Sequence, residues 1–158
     1  ITPRILRLRA GEKELGVAAP LANAAPASLA VTPDGRAAYV AHPSGIVRVD
    51  LATGRATDVA AEGADRLSGF ERIRWHDQTI VGVRTDAAGE RNVVRLQLNR
   101  QGRAVTGVRM LRSSIGEGLG SFATLSGDDL YILVTPGSAT DPSGGGAGAI
   151  VVERMRLP

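Results

Sequence analysis

His76 and Asp77 are neighbours in Trp75-His76-Asp77-Gln78, and a histidine beside a carboxylate is a familiar acid–base pair. For nucleophilic catalysis the pair would need a Ser or Cys next to it. No such nucleophile is identifiable in the stretch, and the chain contains no Cys. The pair is therefore assigned to a turn, and no catalytic residue is named. The segment Ser113–Ser121, with Gly116, Gly118 and Gly120, has the glycine content of a phosphate loop. It lacks the Gly-Lys-Ser/Thr ending and a following helix, so a phosphate would find neither a lysine nor a helix N-terminus. It reads as a connection between two structural units. Without Cys there are also no disulfides and no thiolate metal ligands, and no metal-binding residue is assigned.

Four further side chains are candidates for a ligand or partner surface: His42, Glu71, Arg72 and Glu117. Their common feature is placement near junctions between loops and inner strands, where a central pocket would draw its lining. That placement depends on the elements around them, and those elements are β-strands. Runs of about five to eight residues with β-branched content recur along the chain. They include "RILRLRA", "RAAYVAH", "IVRVDL", "ERIRWHD", "TIVGVRTD", "NVVRLQLN", "DLYILVT" and "AIVVERMRL". Pro33-Asp34-Gly35, Pro43-Ser44-Gly45, Thr53-Gly54, Gln101-Gly102 and Gly127-Asp128 separate them, with Asp supplying turn hydrogen bonds and Gly positive φ. No stretch predicts a long amphipathic helix, and Pro20 and Pro26 interrupt the alanine-rich segment between them.

The strands repeat. "RILRLRAGEKELGVAA", "GIVRVDLATGRATDVAA" and "NVVRLQLNRQGRAVTGV" each give an apolar-Arg-apolar strand, a glycine-containing turn and a weaker outer strand, and "AIVVERMRLP" begins a fourth. Their anchors, Ile5, Ile46, Val93 and Ile150, are spaced 41, 47 and 57 residues apart. A second series precedes the last three anchors: "SLAVTPDGRAAYVAHP", "ERIRWHDQTIVGVRTD" and "FATLSGDDLYILVTPG". A four-stranded unit recurring every ~40 to 60 residues is the sequence pattern of propeller blades. The expected fold is all-β, a partial β-propeller of about three four-stranded antiparallel blades in one domain over 1–158. The expected units are two blade-end strands at 1–19, a blade at 27–61, a second at 69–111 and a last blade at 121–158. The glycine-rich Gly137–Ala149 accounts for the longest spacing. Ile1 falls inside a blade, so the chain reads as the C-terminal half of a ring. The rest of the propeller, as missing blades or a second chain, is then its first expected partner.

These repeats resemble six-bladed propellers of the gluconolactonase group and the NHL-type propellers. The resemblance rests on the Pro33-Asp34-Gly35 turn between two strands, on Val93–Gly102, on Gly127–Tyr131 and on Ile150–Leu157. It implies one divalent metal (calcium or a similar ion) at the ring centre in an active lactonase, held by oxygen ligands. In such relatives an Asn stands eight residues before the turn glycine. Here that position is Ala27, Asn23 is out of register, and His42 stands where an Asp is often found.

The formal net charge is +3 and Lys13 is the only lysine. The arginines are scattered (Arg7, Arg36, Arg48, Arg55, Arg95, Arg103), and aromatic residues make up 3%. A nucleic-acid surface needs clustered charge or stacking rings, so no nucleic-acid partner is expected. No apolar run approaches the ~20 residues of a membrane span. The location is open between the cytoplasm and a bacterial periplasmic or secreted setting. The expected function is a non-catalytic propeller module that binds a protein or small ligand and carries no cofactor. The alternative is a metal-dependent, lactonase-type hydrolase with part of its site on other blades.

Overall fold

The computed structural model describes residues 2–21, 25–61, 67–115, 123–134 and 151–158. Glu117, the glycine loop around it and Gly137–Ala149 lie outside the described residues.

Fourteen strands and no helix make up the described chain. Strands β1 (Arg4–Arg7) and β2 (Gly16–Pro20) form a two-stranded antiparallel sheet. The second sheet is a four-stranded meander of β3 (Ser28–Val31), β4 (Ala37–His42), β5 (Gly45–Asp50) and β6 (Ala56–Asp58). The third sheet repeats this order with β8 (Phe70–His76), β9 (Thr79–Thr85), β10 (Arg91–Leu98) and β11 (Ala104–Arg112). The fourth contains β12 (Ala123–Ser126), β13 (Asp129–Val134) and β14 (Val151–Arg156). The innermost strands β3, β8 and β12 are neighbours, and the sheets stack as blades. The fold is the partial propeller that the repeats predict.

One element has no counterpart in the repeat pattern. After β6 the chain leaves its own sheet, and β7 (Ala60–Ala61) pairs in parallel with the outer strand β11 of the next blade. Two residues carry too little periodicity to signal a strand. The pairing is dictated by where β11 happens to lie.

Side-chain alternation decides which blade each residue faces. In β4, Tyr39 and Ala41 enter the core shared with the third sheet, whereas Ala38 and Val40 enter the core shared with the first. The strand is therefore apolar on both faces, as a sheet covered on both sides requires. Phe70, Ile73, Ile80, Val94 and Leu96 fill the core between the second and third blades. Val81, Val83 and Val93 face the fourth blade and meet Leu130 and Ile132. The two middle blades thus have neighbours on both faces, and each core is shared between two blades.

Candidate functional site

The apolar-Arg-apolar repeat gains a meaning in three dimensions. Arg7, Arg48 and Arg95 each stand two residues after an anchor, on the same strand face as that anchor. That face looks toward the following blade, because Ile5, Ile46 and Val93 pack there. Arg7 Nη1 donates to the Leu51 carbonyl at 3.3 Å, in the turn after β5. Arg95 Nη1 donates to the Pro158 carbonyl at 2.7 Å, just past β14. Both arginines clasp the turn end of the next blade.

Arg48 has the same placement but a different outcome. In the next blade the turn after β10 is reached by Tyr39 instead: Tyr39 Oη donates to Gly102 O at 2.9 Å. Arg48 lies opposite Tyr39 in the β4–β5 ladder. Its Nε is buried and has no hydrogen-bond partner. Burial pushes the Tyr39 hydroxyl above its usual pKa, and a side-chain hydrogen bond from Arg48 together with its charge opposes that shift. Arg95 Nε is also unpartnered, but both terminal nitrogens of Arg95 are engaged.

The space around Arg48 is a cleft of about 720 Å³. Three turn regions frame it: Thr32–Arg36, His76–Gln78 and Asn99–Gly102. Its floor carries Tyr39 and Trp75, whose rings stack with centroids 5.6 Å apart. Tyr39 is fully buried, whereas Trp75, the only tryptophan of the chain, is partly exposed. Arg36 and Arg100 stand exposed on the rim.

Local chemistry holds the three turns. Thr32 Oγ1 donates to Asp34 Oδ1 at 2.6 Å, and the Arg36 amide donates to the same oxygen at 3.0 Å. These bonds, the threonine's first, keep the Asp34 carboxyl below its usual range. Asn99 Oδ1 accepts from the Arg103 amide at 2.9 Å. Asp77 and Gln78 both have positive φ, 41° and 57°, as a two-residue type I′ hairpin demands. Gly is the preferred second residue of such a turn, and Gln78 holds the conformation without that help. The Pro33-Asp34-Gly35 and His76-Asp77 stretches therefore serve turns, as the sequence indicates. Stacking of the blades makes the same turns enclose the cleft.

The proposed surface residues lie elsewhere. Glu71 Oε2 pairs with Arg91 at 3.4 Å, and its Oε1 accepts from Thr85 Oγ1 at 2.5 Å. Arg72 Nη1 donates at 3.1 Å to the carbonyls of Glu71 and Ala27, tying the third blade to the start of the second. His42 lies at the opposite end of β4 from the Thr32–Arg36 turn, and its Nδ1 is 3.1 Å from Ser44 Oγ. Its Nε2 is buried and unpartnered. Glu71 and Arg72 are brought together through the backbone; His42 lines a separate cavity with Asp58 and Leu67. Glu117 lies outside the described residues. Among those residues no three His, Asp or Glu side chains converge where a metal ion could sit.

His76 faces the fourth blade. Its Nε2 is 3.3 Å from Asp128 Oδ1, and its Nδ1 is 3.1 Å from Arg95 Nη2. Both ring nitrogens thus have partners at the blade junction.

No protein-family model and no curated protein matches the chain. Among solved structures it is similar to TolB from Acinetobacter baumannii, at 16% identity and a TM-score of 0.63, over 99% of this chain and 38% of that one. The fold is a β-propeller's. The soluble aldose sugar dehydrogenase of Escherichia coli, in its apo-form, is similar at 15% identity and a TM-score of 0.53. That match covers 72% of this chain and 38% of the dehydrogenase chain. At these identities the likeness is one of fold alone. The chain spans about 38% of the length of each of these structures.

Tyr39, Arg48 and Trp75 are the cleft residues that sequence reasoning did not single out together. A signal existed: aromatic residues are scarce, and one of them, Tyr39, falls on the strand beside the repeat arginine Arg48. Only the stacking of the blades joins them.

Proposed function

We propose that the chain is a non-catalytic propeller module that binds a small ligand in the cleft between its second and third blades. The observation carrying this reading is the cleft itself, where the only tryptophan and an arginine released from its inter-blade role share one cavity of about 720 Å³. Ligand pockets of roughly 300–1,000 Å³ with an apolar floor and a few polar groups are the common pattern. The axial side offers less. Glu71 and Arg72 are engaged with Arg91, Thr85 and backbone carbonyls.

The resemblance to gluconolactonase and NHL-type propellers is kept here for the blade pattern only. Where a lactonase-type relative would place a ligand Asn, Ala27 offers its backbone, and that carbonyl accepts from Arg72. A guanidinium at this position disfavours a second cation by like-charge repulsion. Further blades, in the same polypeptide or a second chain, complete the ring in this reading. The exposed Leu6 and Val17 of the first sheet and Val151 and Val152 of the last support that arrangement, since apolar surface of this kind is normally covered.

A fragment screen followed by residue-resolved NMR tests the site. Hits are expected to perturb Trp75 and Tyr39 and to leave Glu71 and Arg72 unmoved. Hits clustered at Arg72 would overturn the cleft assignment. Hydrolysis of a sugar lactone that depends on an added divalent cation would overturn the non-catalytic reading.

A further inference from the structure

The cleft brings together two features of different chemistry. One is a partly exposed indole, Trp75, held in place by its stack on Tyr39. The other is the Arg48 guanidinium, the member of the repeat-arginine series that does not bond the next blade. Arg7 and Arg95 hold backbone carbonyls of the next blade; on the next-blade side of Arg48 it is Tyr39 that bonds a turn carbonyl, that of Gly102. A buried guanidinium nitrogen without an acceptor is costly, and an anionic ligand would supply acceptors to the same side chain. Arg36 and Arg100 add positive charge at the mouth. Asp34 and Asp77 also line the cleft, with Asp34 engaged by Thr32 and by the Arg36 amide; Asp50, whose charge Arg48 supports, accepts from the Ala52 and Thr53 amides.

We infer that the ligand of this cleft is a mononucleotide-sized anion with a flat ring, its ring lying against Trp75 and its anionic group bonded by Arg48. This inference rests on the cleft reading above and adds the chemical class of the ligand. Ring stacking on an indole contributes to affinity without reading the ring's edge, and guanidinium–oxyanion bonds are the strong class of hydrogen bond. Each half contributes separately, so their effects can be measured separately.

The test uses three probes on the full chain: AMP carries ring and anion, adenosine the ring alone, and ribose 5-phosphate the anion alone. Binding is read from Trp75 emission, with Trp75→Phe identifying that signal, and from calorimetry. AMP is expected to bind roughly ten- to a hundredfold more tightly than either partial probe, as a charge-assisted bond implies. Arg48→Gln is expected to reduce AMP to the affinity of adenosine. Arg7→Gln, the same change at an arginine engaged between blades away from the cleft, leaves AMP affinity unchanged while lowering the melting temperature. Adenosine binding as tightly as AMP would overturn the anion and leave the cleft reading standing. Equal losses of AMP affinity in Arg48→Gln and Arg7→Gln would assign the effect to blade packing and overturn the role of Arg48. No binding of any probe would overturn the ligand class, and the fragment screen then decides the cleft by itself.

Discussion

The junction between the second and third blades and the junction between the third and fourth are built from the same repeat but end differently. At the third–fourth junction, Val81, Val83 and Val93 pack on Leu130 and Ile132. Its turn end is closed by Arg95, which bonds Pro158 and His76, and by His76, which reaches Asp128. At the second–third junction the core is larger and includes rings. Its turn end stays open, because Tyr39 bonds Gly102 and Arg48 is left beside the cleft. A tyrosine on β4 thus takes over the bond to the next blade, and the arginine beside it lines the cleft instead of closing the junction. Repeats can therefore share a scaffold residue and still differ in what that residue does.

The sharpest way to break the comparison is through the cores. Ile73 and Val93 are both fully buried, one in each junction. Ile73→Ala is expected to cost about 2–5 kcal/mol and Val93→Ala about 2 kcal/mol, since fewer carbons are removed. Urea denaturation measures both, and a costlier Val93→Ala would reverse the ranking of the two junctions. The next effect lies at the turns. Gly102 has φ 66°, and a Cβ there would fall 2.2 Å from Tyr39 Oη. Gly102→Ala should cost roughly 2 kcal/mol, combining left-handed backbone strain with loss of the Tyr39 bond, and should alter Trp75 emission. Gly127 has φ 58° but nothing within 4 Å of its Cβ position. Gly127→Ala should cost about 1 kcal/mol and leave the emission unchanged.

Tyr39→Phe isolates the bond itself, at about 1 kcal/mol near neutral pH. Its pH dependence has a definite sign. Burial raises the Tyr39 pKa above the ordinary value of 10.0, so the folded state keeps its proton after the unfolded chain has begun to lose it. The contribution is complete below pH 10.0 and is lost as pH rises through the folded-state pKa. The stability gap between the native protein and Tyr39→Phe should therefore narrow in alkaline denaturation series; a gap that widens would contradict the burial argument. The smallest effect belongs to the closed junction. Asp128 is largely exposed in its pair with His76, so Asp128→Asn should cost about 0.5 kcal/mol, with the loss fading in high salt.

Much of the scaffold was legible from local pattern. Alternation along "AAYVAH" and "NVVRLQL" marks strands, Pro33-Asp34-Gly35 marks a turn, and the spacing of Ile5, Ile46 and Val93 marks the blade repeat. The strand β7 was not legible, because two residues cannot show a period and their partner β11 lies over forty residues ahead. The candidate site was legible only in pieces. His42, Glu71 and Arg72 were singled out by their loop positions, yet the structure engages Glu71 and Arg72 within the scaffold and puts His42 in a separate cavity. The turns around His76 and Asp34 were legible as turns and not as walls of a cleft.

The sequence by itself determined an all-β chain, its blade order and an arginine recurring on one strand of each unit, because periodicity and turn chemistry act over a few residues. Only the tertiary structure decided which of those arginines closes a junction and which faces a cavity. That choice depends on whether Tyr39 reaches a carbonyl 63 residues away, a distance set by the stacking of one blade on the next.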